Sequence, residues 1–184
     1  MIAGRWGHSL DRYLKPLAKR LNINPNILTI VGFLLSGMAG GLLSFDLFLG
    51  GLTILLAGLF DMLDGIVARV NQRVTASGAY LDSVLDRYSD AFVFSGLAWY
   101  LREDLEGVLL SLGSMIGAFL VSYTRARAEG LGKDCKVGIM ERPERILLLS
   151  FGCLTGWIVP TLWVMFSLTH FTVLQRIYYV LKRQ

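Results

Sequence analysis

Residues 61–86 read DMLDGIVARVNQRVTASGAYLDSVLD, and this stretch sets four aspartates inside an otherwise strongly apolar part of the chain. Charged side chains are expensive in such surroundings, so by default they mark a functional site. With a turn of about 100° per residue, one helix face carries Asp61, Asp64, Gly65, Ala68 and Arg69. A second face, built from i, i+4 steps, carries Gly78, Asp82 and Asp86. If the two faces meet, their pooled carboxylates require cations.

The composition excludes an ordinary soluble domain. The chain has 184 residues, of which 54% are apolar, and a mean hydropathy of +0.54. A net charge of +4 could indicate a nucleic-acid-binding protein, but the basic residues flank apolar runs. Membrane topology therefore explains them better, and we expect no nucleic-acid partner.

Apolar runs near bilayer length predict an all-α integral membrane protein with six transmembrane helices. The predicted spans cover residues 27–45, 47–69, 79–100, 107–128, 144–159 and 161–181. The fifth is the shortest, and Pro160 is predicted to separate it from the sixth. We expect one domain over residues 1–184, with the bundle at about 27–181.

Residues 5–20 alternate basic and apolar side chains, which predicts an amphipathic helix lying in the headgroup layer ahead of the bundle. A solvated basic tail is the alternative. On span four, Gly113 and Gly117 form a pair of small residues where a dimer contact is an option, although most such glycines serve helix packing.

Lysine and arginine set the predicted orientation. They concentrate before span one, between spans two and three, between spans four and five, and at the C-terminus, whereas the opposite loops hold few. By the positive-inside rule both termini are cytoplasmic, and the aspartates open to the cytoplasm.

Oxygen ligands without a nearby histidine or cysteine favour Mg²⁺, with Mn²⁺ as the alternative. Two such ions would suit phosphoryl chemistry, because they hold a pyrophosphate and stabilise the leaving group. Gly65 and Gly78 leave room for a ligand beside the carboxylates. Arg69 could reach a phosphate or pair with an aspartate.

The pattern D-x2-D-G-x2-A-R-x8-G-x3-D-x3-D resembles the signature of the CDP-alcohol phosphotransferase family. The resemblance implies a six-helix membrane enzyme, a homodimer, in which an alcohol displaces CMP from a CDP-linked lipid. It implies metal ligation by Asp61, Asp64, Asp82 and Asp86, and it makes Asp86 also the general base. It assigns the CDP-lipid to Asn26, Ile27, Leu28, Thr29, Gly65, Ala68, Arg69, Thr75 and Gly78.

A second informative region follows span four, where arginines gather near the cytoplasmic face. Arg125, Arg127, Arg145 and a further arginine at 176 together suit an anion, which favours an acceptor that carries a phosphate. The competing interpretation, positive-inside residues alone, explains Arg142 well and Arg176 badly. Asp90 continues the aspartate row, but we expect it to pair near Arg87, outside the site.

These segments are similar to those of phosphatidylinositol-phosphate and archaetidylinositol-phosphate synthases. That similarity implies an acceptor pocket lined by Arg125, Arg127, Pro143, Arg145 and Arg176. It also implies transfer from CDP-diacylglycerol or CDP-archaeol to inositol 1-phosphate in a prokaryotic plasma membrane.

Alternatives stay open at this point. One is a phosphatidylglycerophosphate synthase that uses glycerol 3-phosphate, and another is an enzyme that joins CDP-inositol to inositol phosphate. A cation transporter with intramembrane carboxylates and a catalytically silent scaffold belong to other functional classes.

Overall fold

The computed structural model describes residues 23–182, and the regular secondary structure of this part is entirely helical. The predicted interfacial helix over residues 5–20 lies outside the described residues. The six helices are α1 (Pro25–Leu43), α2 (Leu47–Val70), α3 (Ala76–Tyr100), α4 (Leu105–Gly130), α5 (Arg142–Thr155) and α6 (Ile158–Lys182).

Side-chain caps fix where the helices near the aspartates begin. Asn24 accepts a hydrogen bond from the Asn26 backbone N–H at 3.1 Å, and Pro25 occupies the first position of α1. At the start of α3, Thr75 Oγ1 accepts from the Gly78 N–H at 3.1 Å. Such caps satisfy N–H groups that the helix itself leaves unpaired.

The boundary between the last two helices differs from the sequence prediction. Helix α5 ends at Thr155, Gly156 adopts a left-handed φ of 76°, and α6 begins at Ile158. Pro160 therefore lies in the first turn of α6, where its missing N–H has no intrahelical partner to lose. The prediction that Pro160 separates the two helices is wrong, because the glycine makes the turn.

Four helices, α1, α2, α4 and α6, are long and apolar enough to cross a membrane. Helix α3 is as long, with 25 residues, but it carries the charged residues of the second aspartate face. Helix α5 has 14 residues, which span about 21 Å at 1.5 Å per residue and fall short of a hydrocarbon core of about 30 Å. The chain is thus a helical membrane protein with four clear candidate spans in its described part.

The helices pack as a closed ring in the order α1, α2, α5, α6, α4, α3, and α3 then returns to α1. Helices α2 and α3 are consecutive in the chain, yet α1 lies between them on one side of the ring and α5, α6 and α4 on the other. Their aspartate faces therefore meet across the interior, at the end opposite the apolar core around Phe94, Leu97 and Leu162.

Glycines allow the closest helix contacts. A Cβ atom on Gly96 of α3 would collide with the backbone oxygen of Gly40 on α1, so these two backbones touch. On α4, Gly113 packs against Phe166 and Gly117 against Thr169, both on α6 of the same chain. The pair therefore serves packing between α4 and α6, and a dimer contact at it stays a prediction.

Candidate active site

Three carboxylates from two helices converge at one end of the ring. Asp61 and Asp64 extend from α2 and Asp82 from α3, and each offers an oxygen within 4.8 Å of the others. Asp82 Oδ1 is buried and has no hydrogen-bond partner among the described residues. An unpartnered carboxylate oxygen beside two further carboxylates suits a hard divalent cation.

Thr29 connects α1 to this cluster. Its Oγ1 donates a hydrogen bond to Asp64 Oδ2 at 2.6 Å, and Asp64 is buried. Hydrogen bonds of this kind orient a ligating carboxylate toward its metal. The family resemblance assigns Thr29 to the CDP-lipid, which stays a prediction, and the structure shows that its hydroxyl positions Asp64.

Asp86 faces a guanidinium instead of the other three aspartates. Its carboxylate pairs with Arg87 at 3.2 Å and with Arg142, and Arg142 also contacts Asp61. Sequence reasoning accounted for Arg142 as a positive-inside residue only, which is wrong. Its position three residues before Arg145, already assigned to the acceptor, is the signal that could have revealed it.

One cleft, which we call the threonine cleft, opens between α1, α2 and α3 and has a volume of about 280 Å³. Its lining includes Asn26, Thr29, Gly65, Ala68, Arg69, Thr75 and Gly78, together with Asp64 and Asp82. The structure thus brings seven of the nine residues assigned to the CDP-lipid to one surface. Ile27 and Leu28 do not line it, because Ile27 is exposed and Leu28 packs in an apolar cluster with Leu63 and Val67.

Gly78 shows why this surface needs a residue without a side chain. A Cβ atom there would lie 2.9 Å from Thr75 Oγ1 and 3.1 Å from Asn26 Oδ1. Any larger residue would push apart two polar groups that face the cleft.

A second cleft, the arginine cleft, lies between α3, α4, α5 and α6 and measures about 420 Å³. Its charged lining consists of Arg87, Arg125, Arg142, Arg145, Arg176, Asp82, Asp86, Glu129 and Glu141. Pro143 lines the cleft as well. Arg127, which was predicted to line the acceptor pocket, is exposed and does not line this cleft. Asp82 lines both clefts, so the two surfaces meet at the carboxylates.

Two of the cleft's arginines are almost fully buried and have specific partners. Arg145 Nη2 lies 2.8 Å from Asp90 Oδ2. The expectation that Asp90 pairs near Arg87 is therefore wrong. Arg176 is 2% exposed, and a cation this deeply buried needs partners. Its Nε donates to the Val137 carbonyl at 2.8 Å and its Nη1 donates to the Val121 carbonyl, while its Nη2 lies 3.3 Å from Glu141.

The chain is similar to several known proteins. Over 181 residues the chain is 38% identical to the archaetidylinositol phosphate synthase of Methanothermobacter thermautotrophicus, covering 95% of this chain and 91% of the relative. It also matches crystal structures of the phosphatidylinositol phosphate synthase of Mycobacterium tuberculosis. The structure of that enzyme with CDP-DAG bound matches with a TM-score of 0.82 at 31% identity, and the match covers 92% of this chain and 94% of the M. tuberculosis chain.

The same enzyme in complex with manganese and citrate matches with a TM-score of 0.79 at 30% identity, covering 95% of this chain and 88% of the other. The family model for CDP-alcohol phosphatidyltransferase matches residues 22–178, which include every helix but the last turn of α6. The chain belongs to the CDP-alcohol phosphatidyltransferase family.

Proposed function

We propose that this protein transfers a phosphatidyl-type group from a CDP-linked lipid to inositol 1-phosphate and releases CMP. The observation that carries the proposal is the position of Asp82, which lines both the threonine cleft and the arginine cleft. A donor in one cleft and an anionic acceptor in the other would react at the carboxylates. The names of the M. thermautotrophicus and M. tuberculosis relatives support inositol phosphate as the acceptor.

Asp61, Asp64 and Asp82 would hold a divalent cation, Mg²⁺ or Mn²⁺, and by family resemblance Asp86 would ligate a second one. The manganese complex of the M. tuberculosis enzyme supports this assignment. When bound, the cations neutralise the pyrophosphate and stabilise the charge of the departing CMP. Thr29 keeps the Asp64 carboxylate turned toward its neighbours.

The threonine cleft would hold the CDP head group. Arg69 offers paired N–H donors to a phosphate there, and Gly78, which has no Cβ, leaves the polar groups of Thr75 and Asn26 in place at the cleft. The acyl or archaeol chains would extend into the surrounding lipid. The M. tuberculosis structure with CDP-DAG supports this use of the fold.

The arginine cleft would hold the phosphate of the acceptor through Arg125, Arg145 and Arg176. An acceptor hydroxyl then attacks the phosphorus atom attached to the lipid, the bond from that phosphorus to the CMP oxygen breaks, and the hydroxyl proton passes to Asp86. Asp86 lines this cleft, which is where a base for the acceptor must stand.

The proposal extends to the whole chain. Residues 1–184 would form one domain with six membrane crossings, both termini and the site on the cytoplasmic side of a prokaryotic plasma membrane, and two copies would associate as a homodimer. Four apolar helices and the distribution of basic residues support this topology.

An acceptor panel tests the proposal. Purified protein with Mg²⁺ and CDP-diacylglycerol or CDP-archaeol should release CMP fastest with inositol 1-phosphate and hardly at all with unphosphorylated inositol. A faster reaction with glycerol 3-phosphate would identify a phosphatidylglycerophosphate synthase. Ion flux in liposomes without any CMP release would identify a transporter and overturn the proposal.

A further inference from the structure

We propose that Glu141 is a resident anion of the arginine cleft, whose carboxylate holds Arg125 and Arg176 until the phosphate of the acceptor displaces it. This inference rests on the proposed function, because it takes the ligand of the arginine cleft to be a phosphate monoester. It adds a residue that sets acceptor affinity and that the aspartate signature does not contain.

The contacts of Glu141 place one carboxylate oxygen between two arginines. Oε1 lies 3.3 Å from Arg176 Nη2 and 3.6 Å from Arg125 Nη1. The Arg176 side chain is 2% exposed, so its charge needs an anion nearby at all times. Glu141 is 29% exposed and faces the cleft, so it can supply that anion and still be reached by a ligand.

Glu141 is also the residue at the N-cap position of α5, yet its side chain makes no capping hydrogen bond. Its carboxylate therefore serves the arginines instead of its own helix. The first turn of α5, which borders the cleft through Arg142 and Pro143, keeps N–H groups without a side-chain acceptor. These groups and the helix dipole add to the attraction of the cleft for an anion.

The other arginines of the cleft pair with aspartates, although Arg145 keeps a buried Nε without a partner among the described residues. Arg87 and Arg142 pair with Asp86, and Arg145 pairs with Asp90. Arg125 and Arg176 are left with glutamates as partners, Glu129 and Glu141. A phosphate monoester that reaches both arginines must therefore replace Glu141, the one glutamate that contacts both.

The exchange has a clear physical basis. A phosphate group carries a charge of about −1.5 to −2 and three acceptor oxygens, so it satisfies two guanidinium groups better than one carboxylate does. Arg176 stays neutralised in both states, and the returning carboxylate helps the phosphate-bearing product to leave. An unphosphorylated polyol carries no charge with which to replace Glu141.

The test uses Glu141→Gln, which keeps the size of the side chain and removes its charge. We expect the purified variant to bind inorganic phosphate about tenfold more tightly than the wild type in calorimetric titration, since the competing carboxylate is gone. The KM for inositol 1-phosphate should fall by a similar factor, and the KM for the CDP-lipid should stay unchanged. A purely structural role for Glu141, holding Arg176 in place, predicts the opposite sign.

Asp134→Asn is the matched control. Asp134 lies in the same loop and loses the same charge, but its side chain is 62% exposed, pairs with Lys136 at 2.9 Å, and is outside the arginine cleft. Its phosphate affinity should equal that of the wild type. If both variants bind phosphate more tightly by the same factor, the effect comes from net charge alone and the proposal is overturned. Unchanged or weaker phosphate binding in Glu141→Gln would overturn it as well.

A second variant covers the case in which Glu141→Gln does not fold. Glu141→Asp keeps the charge but is one methylene shorter and cannot span both arginines, so it too should bind phosphate more tightly than the wild type. If it does not, the proposal fails. Failure of the proposed function is a separate result. In that case the Glu141 variants change phosphate affinity as expected, but no phosphorylated acceptor supports CMP release.

Discussion

The guanidinium of Arg142 contacts the carboxylate of Asp86 and joins the first turn of α5 to the middle of α3. The same nitrogen contacts Asp61 on α2, so one positive charge serves carboxylates from two other helices. All three side chains are at least three-quarters buried, which weakens screening by water and makes the repulsion between the carboxylates costly. Arg142 therefore supplies part of the positive charge that the aspartate cluster needs.

Removing the positive charge of Arg142 should make the thermal stability of the protein depend on bound metal ions. In Arg142→Gln, Asp61 and Asp86 lose their shared partner, and we expect metal-free protein to lose about 1–3 kcal/mol of stability, less than for a fully buried pair because these side chains are partly exposed. The measurement is thermal unfolding in detergent with and without Mn²⁺. Manganese should restore most of the loss, and titration followed by electron paramagnetic resonance should show tighter Mn²⁺ binding than in the wild type.

Arg142→Lys is the control, because it keeps the charge but not the fork of donors. It should lie between the wild type and Arg142→Gln in metal-free stability, with Mn²⁺ affinity close to that of the wild type. If Arg142→Gln unfolds like the wild type without metal and binds Mn²⁺ no better, Arg142 does not neutralise the cluster.

The aspartate cluster could be predicted from sequence because its signal is local. Steps of three and four residues put Asp61 and Asp64 on one face and Asp82 on another, whatever the rest of the chain does. Pairing across helices carries no such local signal. Asp90 lies three residues from Arg87, yet it pairs with Arg145 at 2.8 Å, because the ring places α5 across its interior from α3, within reach of a long arginine side chain.

The predicted arginine set divides for a different reason, which is the local geometry of α4. Arg125 and Arg127 differ by two positions on α4, which is about 200° around a helix, so they cannot face the same cleft. Arg125 lines the arginine cleft and Arg127 does not. Sequence proximity suggested a common role, and helical geometry would have separated the two.

This division leads to a test of acceptor binding. We expect Arg145→Gln to raise the KM for inositol 1-phosphate about tenfold or more, because a charge-assisted contact is lost, and to leave the KM for the CDP-lipid unchanged. Arg127→Gln should alter neither constant by more than about twofold, since its side chain is exposed and outside the cleft. Both constants come from CMP release at varied substrate concentrations.

Loss of Arg145 also leaves the half-buried Asp90 without its partner, so stability needs its own control. The double variant Arg145→Gln, Asp90→Asn should recover thermal stability without recovering acceptor binding. If it recovers both, Arg145 acts only by keeping the fold intact. An effect of Arg127→Gln as large as that of Arg145→Gln would contradict the division of the set.

The spacing between α1 and α3 also affects the site, because α1 carries Thr29 and α3 carries Asp82. In Gly96→Ala, the added methyl group would collide with the backbone oxygen of Gly40, which cannot move away as a side chain can. We expect a stability loss of about 1–3 kcal/mol in thermal unfolding and lower CMP release, because separating the helices disturbs the Thr29–Asp64 hydrogen bond. Gly41→Ala, next to Gly40 on α1, adds the same methyl group where nothing lies within 4 Å, so it should match the wild type in both measurements. Equal behaviour of the two variants would show that the close approach of α1 and α3 does not hold the site together.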